Sequence, residues 1–281
     1  MNRRIIIPKE DLIRLYYIEK KSKYKIGDIY GCSFSTVLNI MRDYGMKPLS
    51  RSLIQSKYSK NKFDGSRETR AYMVGFRLGD LNVYQTSKKS TVIVVRCHTT
   101  NQDQVDVINN LFSKYGQVSI SISPRDSSFN INCFLDDSFA FLLPKQDRAP
   151  DWIKKNSKFS TAFVAGYIDA EGNIGVYDGR ARFKIDSYDK NIILFIFNWL
   201  KDNNLICQEP KKIADKGHVY NKSKGYKYNN DLWRLRISKK EVLNSFFNII
   251  KPYLKHQKRI SDLNKSLHNI NERRTKRYRK N

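Results

Sequence analysis

Cysteine is scarce in this chain, with 4 residues among 281. No two of the cysteines form a Cys-x-x-Cys pair; they are Cys32, Cys97, Cys133 and Cys207. This spacing excludes a disulfide scaffold and the usual structural zinc sites. We therefore expect reduced thiols in the core of a cytoplasmic protein.

Long apolar runs are absent as well. No stretch of about 18 apolar residues occurs, so no segment is expected to span a membrane. The start of the chain, Met1–Lys9, lacks the apolar region of a secretory signal peptide.

Acidic residues are few relative to basic ones. The chain has 27 Asp and Glu against 53 Lys and Arg, a net charge of +26 and a pI of about 9.9. A positive field of this size favours a polyanionic partner, in the first place nucleic acid. An anionic membrane surface is the alternative, although no lysine-rich amphipathic anchor supports it. The length predicts about two domains.

Two stretches of the chain resemble each other at an offset of 91 residues, Ala71–Asn82 and Ala162–Asn173. Each has small residues at positions i, i+4 and i+8, which share one face of a helix. These residues are Ala71, Gly75 and Gly79 in the first stretch and Ala162, Gly166 and Ala170 in the second. An acid follows the third small residue in each copy, Asp80 and Glu171.

The glycines predict that the two helices pack closely together. Glycine inside a helix costs up to about 1 kcal/mol relative to alanine, so its repeated use needs a packing reason. Packing these helices together brings Asp80 and Glu171 side by side. Adjacent carboxylates repel unless a proton or a divalent cation lies between them. The pattern therefore predicts a paired-acid metal site.

Residues 1–46 are predicted to form a small all-α domain of three short helices. Ser33 is a candidate N-cap for the third helix, and Gly45 a candidate residue to end it. A helix, a turn with glycine and a second helix with outward polar residues are typical of a DNA-binding helix-turn-helix. The outward residues are Ser35, Thr36, Asn39 and Arg42. The alternative is an ordinary helical domain without a role in DNA binding.

The rest of the chain predicts two related halves. Residues 47–66 are expected to form a basic linker, 67–145 the first repeat, 146–158 an inter-repeat linker, 159–270 the second repeat and 271–281 a basic, disordered tail. Each repeat has the pattern helix, two strands, helix, two strands, helix.

The predicted strands alternate strictly between polar and apolar residues, so each repeat should have a sheet with one apolar and one polar face. An anion such as DNA would suit a polar face rich in one charge, whereas a merely solvated face is the alternative. The candidate DNA contacts on these faces are Arg96, His98, Arg180, Arg182, Lys184, Asp186, Arg234 and Arg236.

The duplicated stretches resemble the LAGLIDADG motif of homing endonucleases, over Met73–Leu81 and Val164–Gly172. The resemblance covers residues 65 to 270, and a separate helix-turn-helix looks like an accessory of some members. It implies an α+β fold of two pseudo-symmetric αββαββα halves packed through their motif helices, after the small helical domain. It also implies a monomer that cuts both strands of double-stranded DNA at a long target site.

The resemblance further implies the chemistry. The penultimate acids of the motif, here Asp80 and Glu171, would bind Mg²⁺ near the scissile phosphates. A basic residue near the end of a strand would assist; by position it is Lys239, or else Lys240. The alternatives are a non-catalytic transcriptional regulator on a decayed core and an RNA-splicing maturase.

The first copy departs from the motif at two positions. Leu81 stands where a glycine usually ends the helix in a left-handed turn, as Gly172 does in the second copy. We expect the leucine to strain that turn or to shift Asp80. Arg77, within the same helix, must point away from the packed face.

Overall fold

The computed structural model describes residues 5–49 and 60–278, with the backbone alone for residues 274–278. The chain divides into two compact units, Met1–Ser59 and Lys60–Asn281. Within the described ranges, no helix is long and apolar enough to cross a membrane. The described part of the larger unit has two four-stranded sheets and one two-stranded sheet, all antiparallel and accompanied by helices, which confirms the predicted α+β class.

The N-terminal unit is a set of short helices: α1 (Lys9–Leu12), which continues as a π-helical segment (Ile13–Ile18), α2 (Lys23–Tyr30) and α3 (Phe34–Asp43). Three residues, 31 to 33, join α2 to α3, and Gly31 has the positive φ of +63° that the turn requires. The Ser33 hydroxyl accepts from the amide of Thr36 at 3.2 Å and caps α3. The unit extends beyond the predicted residue 46, because the amide of Leu49 donates to the Tyr16 hydroxyl at 3.1 Å.

The first repeat follows the predicted order. Its elements are α4 (Arg67–Asp80), β1 (Asn82–Gln85), β2 (Val92–Thr99), α5 (Gln102–Phe112), β3 (Gln117–Ile122), β4 (Phe129–Asp136) and a 3₁₀ helix (Asp137–Leu142). The strand order is β1-β2-β4-β3. The Ser66 hydroxyl caps α4 by accepting from the amide of Thr69 at 3.1 Å.

The second repeat has the same plan. A short helix, α6 (Asp151–Lys154), leads to α7 (Ser157–Glu171), β5 (Gly172–Tyr177), β6 (Arg180–Ser187), α8 (Lys190–Asp202), β7 (Lys211–Ala214), β8 (Val219–Asn221), β9 (Tyr226–Lys227), β10 (Leu232–Ile237) and α9 (Lys240–Ile250). The strand order is β5-β6-β10-β7, and β8 and β9 pair separately. This extra pair interrupts the second hairpin, and the sequence analysis did not predict it.

The motif helices α4 and α7 pack against each other along their glycines. A methyl group placed on Gly75 would lie 2.1 Å from the carbonyl oxygen of Phe163, and one on Gly166 would lie 2.1 Å from that of Tyr72. Because Gly166 and Phe163 stand 91 positions after Gly75 and Tyr72, the two contacts are reciprocal. The predicted helix contact is present, with a pseudo-twofold relation between the repeats.

The linker prediction for residues 47–66 was too long at its C-terminal end. Residues 50–59 lie outside the described residues. Beyond them, the amide of Asn61 donates to the Tyr115 carbonyl at 2.9 Å, and Phe63 packs in an aromatic cluster with Tyr115 and Phe139. An aromatic residue in an otherwise basic stretch therefore fixes it to the first repeat.

The predicted inter-repeat linker, 146–158, is also structured. It contains α6 and the start of α7. Asp147 accepts from the amides of Asn191 and Ile192 at 2.9 and 3.0 Å, at the first turn of α8. The linker is thereby tied to the second repeat.

The basic tail is helical where it is described, in contrast to the predicted disorder. After a 3₁₀ turn (Lys251–Tyr253), α10 runs from Gln257 to Tyr278 and includes residues 271–278. No glycine or proline interrupts this stretch, so nothing in it ends the helix at residue 270. The last residues, 279–281, lie outside the described residues.

The glycine contact makes a prediction about stability. Gly75→Ala would normally stabilise a helix, but here the added methyl meets backbone, so we expect it to lower the free energy of unfolding by about 3 kcal/mol. Urea unfolding followed by circular dichroism measures this change. As a control, Gly217→Ala adds the same methyl in open space at a φ of +84°, where only backbone strain of about 1 kcal/mol applies. A gain of stability in Gly75→Ala would contradict the close contact.

Candidate metal and nucleic-acid site

The two motif acids end the two packed helices. Asp80 is the last residue of α4 and Glu171 the last residue of α7. One residue before Asp80, a methyl on Gly79 would lie 2.4 Å from Ala170 Cβ and 3.4 Å from Glu171 Oε1. The Glu171 carboxylate therefore lies at the end of α4. We call the packed glycine faces of α4 and α7 the seam.

Asp80 has one strong hydrogen bond. Its Oδ2 accepts from Gln104 Nε2 at 2.7 Å, and Gln104 itself is 5% exposed on α5. Desolvation by the surrounding protein raises the pKa of Asp80, and the hydrogen bond from the Gln104 amide opposes that rise. Asp80 nevertheless remains exposed to solvent as a residue. The charge of Asp80 in turn adds to the effect of burial on Cys97, whose pKa rises to about 11.

Glu171 is in a different environment. Among the described residues, its carboxylate receives no hydrogen bond. Burial, then the charge of Asp80, then that of Asp189 raise its pKa to about 7. Asp189 is the residue before α8 and accepts from the Tyr167 hydroxyl at 3.1 Å. The second acid thus faces two other acids where the first has an amide donor.

Two cations act on the acid pair. The charges of Lys145, at the end of the first repeat, and of Arg259, in the first turn of α10, oppose the rise in pKa of both Asp80 and Glu171. Arg259 Nε is buried and has no hydrogen-bond partner among the described residues. Lys239, predicted as the catalytic lysine, is an exposed residue before α9, and Lys240 lies 3.7 Å from Glu241.

A third acid of the motif region has a structural role. Asp169 is 1% exposed, and its Oδ2 accepts from the Tyr72 hydroxyl at 2.6 Å and from the amide of Lys255 at 2.7 Å. The amide of His256 also donates to it at 3.2 Å. These bonds join α4, α7 and the segment before α10, which brings Arg259 toward the seam.

The expected strain at Leu81 is absent. Leu81 has φ −101° and ψ 140°, and Gly172 has φ −70° and ψ 143°, so both helices end in extended backbone. The prediction of a left-handed turn was wrong, and leucine adopts this conformation without strain. Gly172 is needed for a different reason, because a methyl there would lie 2.6 Å from the Ile168 carbonyl oxygen.

Arg77 reinforces the same helix end. It is 3% exposed, its Nη1 donates to the Leu81 carbonyl at 2.6 Å, and its Nε donates to the Leu142 carbonyl at 2.8 Å. Burial lowers its pKa. The side chain points away from α7, as expected, but it is enclosed by the first repeat and holds the chain after Asp80.

The acid pair has the donor chemistry for a hard divalent cation. Asp80 and Glu171 offer carboxylate oxygens, the ligands that Mg²⁺ prefers. Among the described residues, no donor reaches the Glu171 carboxylate, and its pKa is raised first by burial and then by the charge of Asp80, both of which a bound cation would offset. The residues therefore fit the predicted metal. In the described residues, no group of three or more His, Cys, Asp or Glu is arranged to bind one.

The polar face of the second sheet has the predicted basic residues. Arg234 pairs with Asp186 and Arg236 with Lys184 in directly opposed positions of β10 and β6. A depression of ≈ 260 Å³ on this face is lined by Asn173, Tyr177, Arg182, Lys184, Arg234 and Arg236. Its shape and charge suit an anionic ligand.

Asp186 is the acid in the middle of this face. Its Oδ2 accepts from Arg234 Nη2 at 2.7 Å and from Lys184 Nζ at 3.2 Å. Burial raises the pKa of Asp186, but these two hydrogen bonds outweigh that effect and lower it. Asp186 thus holds two cations in place. Arg182 contacts Asp178 at 3.0 Å, whereas Arg180 and Arg236 have no acidic partner in the described part of the chain.

The first sheet is far less basic. Arg96 is exposed on β2, opposite Asn82 and Asn132. His98 Nδ1 lies 3.1 Å from Asn130 Oδ1. The two faces therefore offer different chemistry, mainly neutral amides on the first and arginine and lysine on the second.

The residues predicted for the N-terminal unit lie on α3. Ser35, Asn39 and Arg42 are exposed, whereas Thr36 is half-buried with its hydroxyl 3.0 Å from that of Ser33. Val37 and Met41, on the opposite side, are buried. One side of α3 is therefore polar and exposed, and the other side packs in the core of the N-terminal unit.

The sequence analysis missed several residues near the acids: Gln104, Lys145, Asp189 and Arg259. A buried glutamine on an amphipathic helix and an acid just before a helix are weak signals, because both are common outside functional sites. Lys145 and Arg259 had no signal, since only the tertiary fold brings them near the seam.

Comparisons with known proteins give distant similarities. No protein-family model matches the chain. An uncharacterized protein of Methanocaldococcus jannaschii is 26% identical over 183 residues, which span 63% of this chain and 64% of that protein. The match therefore covers less than two thirds of the relative's length.

Solved structures with a similar fold are also distant in sequence. The homing endonuclease I-WcaI bound to its DNA recognition sequence has a TM-score of 0.46 and 14% identity, over 69% of this chain and 86% of that chain. Full-length WhiA from Thermotoga maritima has a TM-score of 0.47 and 14% identity, over 76% and 63%. Neither value assigns a function to the chain.

The charge on Glu171 predicts a pH-dependent stability. Its folded pKa of about 7 exceeds the usual 4.5, so the folded state binds more protons and loses stability as pH rises between these values. Without divalent metal, we expect Glu171→Gln to exceed the parent by about 1–2 kcal/mol near pH 8, after discounting for partial exposure. Below about pH 4.5 the two should unfold alike. Thermal unfolding across pH measures this difference.

Exposed Glu209 provides the control, because Glu209→Gln removes the same charge away from the acid pair. This variant should follow the parent at every pH. Added Mg²⁺ should stabilise the parent and not Glu171→Gln, since binding to the folded state raises its stability. Equal stability of parent and Glu171→Gln near pH 8 would contradict the raised pKa of Glu171.

Proposed function

We propose that the protein is a site-specific endonuclease of the homing type that hydrolyses both strands of double-stranded DNA. The observation that carries this proposal is the meeting of Asp80 and Glu171 at one end of a tightly packed, pseudo-symmetric helix pair. Both acids belong to one chain, so the proposed enzyme works as a monomer.

The two acids have the central role in this proposal. Asp80 and Glu171 would hold Mg²⁺, which when bound supplies charge stabilisation for the phosphodiester and lowers the pKa of a water nucleophile. Gln104 fixes the orientation of the Asp80 carboxylate through its hydrogen bond. Arg259 and Lys145 place positive charge beside the acids, where a phosphate would enter. Lys239, or else Lys240, remains the predicted basic residue that assists catalysis.

The two sheets would bind the duplex on either side of the acids. Arg180, Arg182 and Lys184 line one polar face and suit phosphates and base edges in the major groove. Arg234 and Arg236 extend that face, and Asp186 orients Arg234 within it. Arg96 and His98 serve the other repeat, where the asparagines supply amide hydrogen bonds.

The N-terminal unit would add a second DNA contact. Two helices joined by a three-residue turn, with exposed Ser35, Asn39 and Arg42, support the geometry of a helix-turn-helix. Thr36 contributes less directly, because its hydroxyl is engaged with Ser33. This contact would lengthen the recognised site.

A non-catalytic DNA-binding regulator is the second candidate. The difference between the two acid environments favours it, because one oxygen of Asp80 is already bonded to Gln104. Such a protein would keep the DNA affinity and lack hydrolysis. A maturase that acts on structured RNA would keep the basic surface as well.

Cleavage assays with conservative variants separate these functions. With DNA that carries the insertion site of the gene and Mg²⁺, we expect the parent to cut both strands and Asp80→Asn or Glu171→Gln to lose about 100-fold or more in rate. Both variants remove the negative charge of a carboxylate ligand at nearly constant shape. Their affinity for the same DNA, measured in Ca²⁺, should stay within a few-fold of the parent.

Exposed Asp202→Asn is the matched control and should cut as the parent does. Tight binding by the parent without nicking in any divalent metal would support the regulator instead. Preference for structured RNA over duplex DNA would support the maturase.

The helix-turn-helix assignment has its own test. We expect Arg42→Gln combined with Asn39→Ala to weaken binding to the insertion-site DNA by about 10-fold or more, since each base contact contributes roughly 1–3 kcal/mol. DNase footprinting should also show a shorter protected segment. Glu10→Gln, on the exposed side of α1, serves as the control. An unchanged footprint would remove the role of this unit.

A further inference from the structure

The second repeat carries a two-stranded ribbon without a counterpart in the first. In the first repeat, residues 123–128 close the hairpin of β3 and β4. In the second, the hairpin continues past β7 and β10: the amide of Gly217 donates to the Tyr228 carbonyl at 2.8 Å, and Val219 pairs with Lys227. A turn at residues 215–218 leads into this pair of strands, and the three residues of β8 add roughly 10 Å of reach at about 3.3 Å per residue.

Aromatic rings run along this ribbon from end to end. His218 stacks on Tyr228 with centroids 6.2 Å apart, Tyr228 contacts Tyr220 at 4.8 Å, and Tyr220 contacts Tyr226 at 6.1 Å. Lys224 lies over the Tyr226 ring at 5.8 Å. Cross-strand ring pairs stabilise such ribbons, which are marginal when they have only two strands. The rings therefore explain why the ribbon is ordered outside the sheet.

The ribbon carries positive charge and no acid. Residues 216–230 contain four lysines and no Asp or Glu, and all four lysines are exposed: Lys216, Lys222, Lys224 and Lys227. The nearest acids, Asp215 and Asp231, stand at the base and both pair with Lys212. The charge of the ribbon beyond that base is thus available to an anionic partner.

We propose that residues 216–230, the basic arm, bind the sugar-phosphate backbone of duplex DNA beyond the end of the second sheet. The inference rests on the proposed DNA-binding function. The rings hold the ribbon in a preformed extended shape, and the lysines meet successive phosphates. In the first repeat, the corresponding tip has Arg125 beside Asp126 and no lysine. The basic arm therefore makes the DNA contact longer on the side of the second repeat.

The salt dependence of binding tests the basic arm. The full-length chain and its variant with Lys222, Lys224 and Lys227 changed to Gln are titrated with a random-sequence duplex of about 40 base pairs in Ca²⁺, at several salt concentrations. Each lysine bound to a phosphate makes the negative slope of log K against log salt steeper by about 0.9. We expect the magnitude of this slope to be smaller by about 2 to 3 in the variant.

The matched control changes Lys154, Lys155 and Lys158 to Gln. These exposed lysines lie between the end of α6 and the first turn of α7, away from Glu171 at the other end of α7, and carry the same total charge. The control should keep the parent slope within about 1. A further variant, Tyr220→Ala, removes the central ring and should lower the slope in the same direction as the lysine variant, because the basic arm loses its fixed shape.

The outcomes separate the two levels of inference. A parent that binds duplex DNA, with an arm variant of unchanged slope, overturns the basic arm and leaves the proposed function standing. Equal losses in the arm and control variants also overturn it, since they report net charge alone. A parent without affinity for duplex DNA overturns the proposed function, and the basic arm with it.

Discussion

The contact between two helix backbones at Gly75 and Gly166 is the constraint on which the rest of the larger unit depends. A methyl group on either residue would overlap a carbonyl oxygen of the facing helix, so only glycine permits this distance. Because the helices touch along their whole glycine face, their last residues cannot separate. The meeting of Asp80 and Glu171 is a consequence of that contact.

The contact is symmetric, but the surroundings of the two acids are not. Asp169 occupies the position that Leu78 holds in the first copy, and it receives the Tyr72 hydroxyl across the seam. In the second repeat this acid fastens the start of α10, whereas in the first repeat Arg77 fastens the helix end through carbonyl oxygens. Duplicated helices have thus acquired different supports. The different surroundings of the two acids come from the next helix of each repeat, which brings the amide of Gln104 to Asp80 and the charge of Asp189 to Glu171.

The sequence predicts the elements of this fold well because the signals are local. Repeated small residues reveal the seam, alternating strands reveal the sheets, and Ser33 and Gly45 mark the ends of α3. Local signals fail where tertiary contacts decide. Phe63 anchors a stretch that its basic neighbours mark as a linker, and Leu81 ends a helix in extended backbone that a motif comparison alone expects to be left-handed.

The candidate site also combines residues that the local sequence predicts with residues that only the tertiary fold brings together. Its acids follow from the motif, but Gln104 and Arg259 come from elements that are distant in the sequence, and their approach depends on how helices cover the sheets. On the second sheet, Asp186 looks like an isolated acid among cations in the sequence. Its bonds to Arg234 and Lys184 make it the residue that spaces those cations. A face of unpaired like charges would repel itself, so one central acid allows a basic surface to stay ordered before an anion binds.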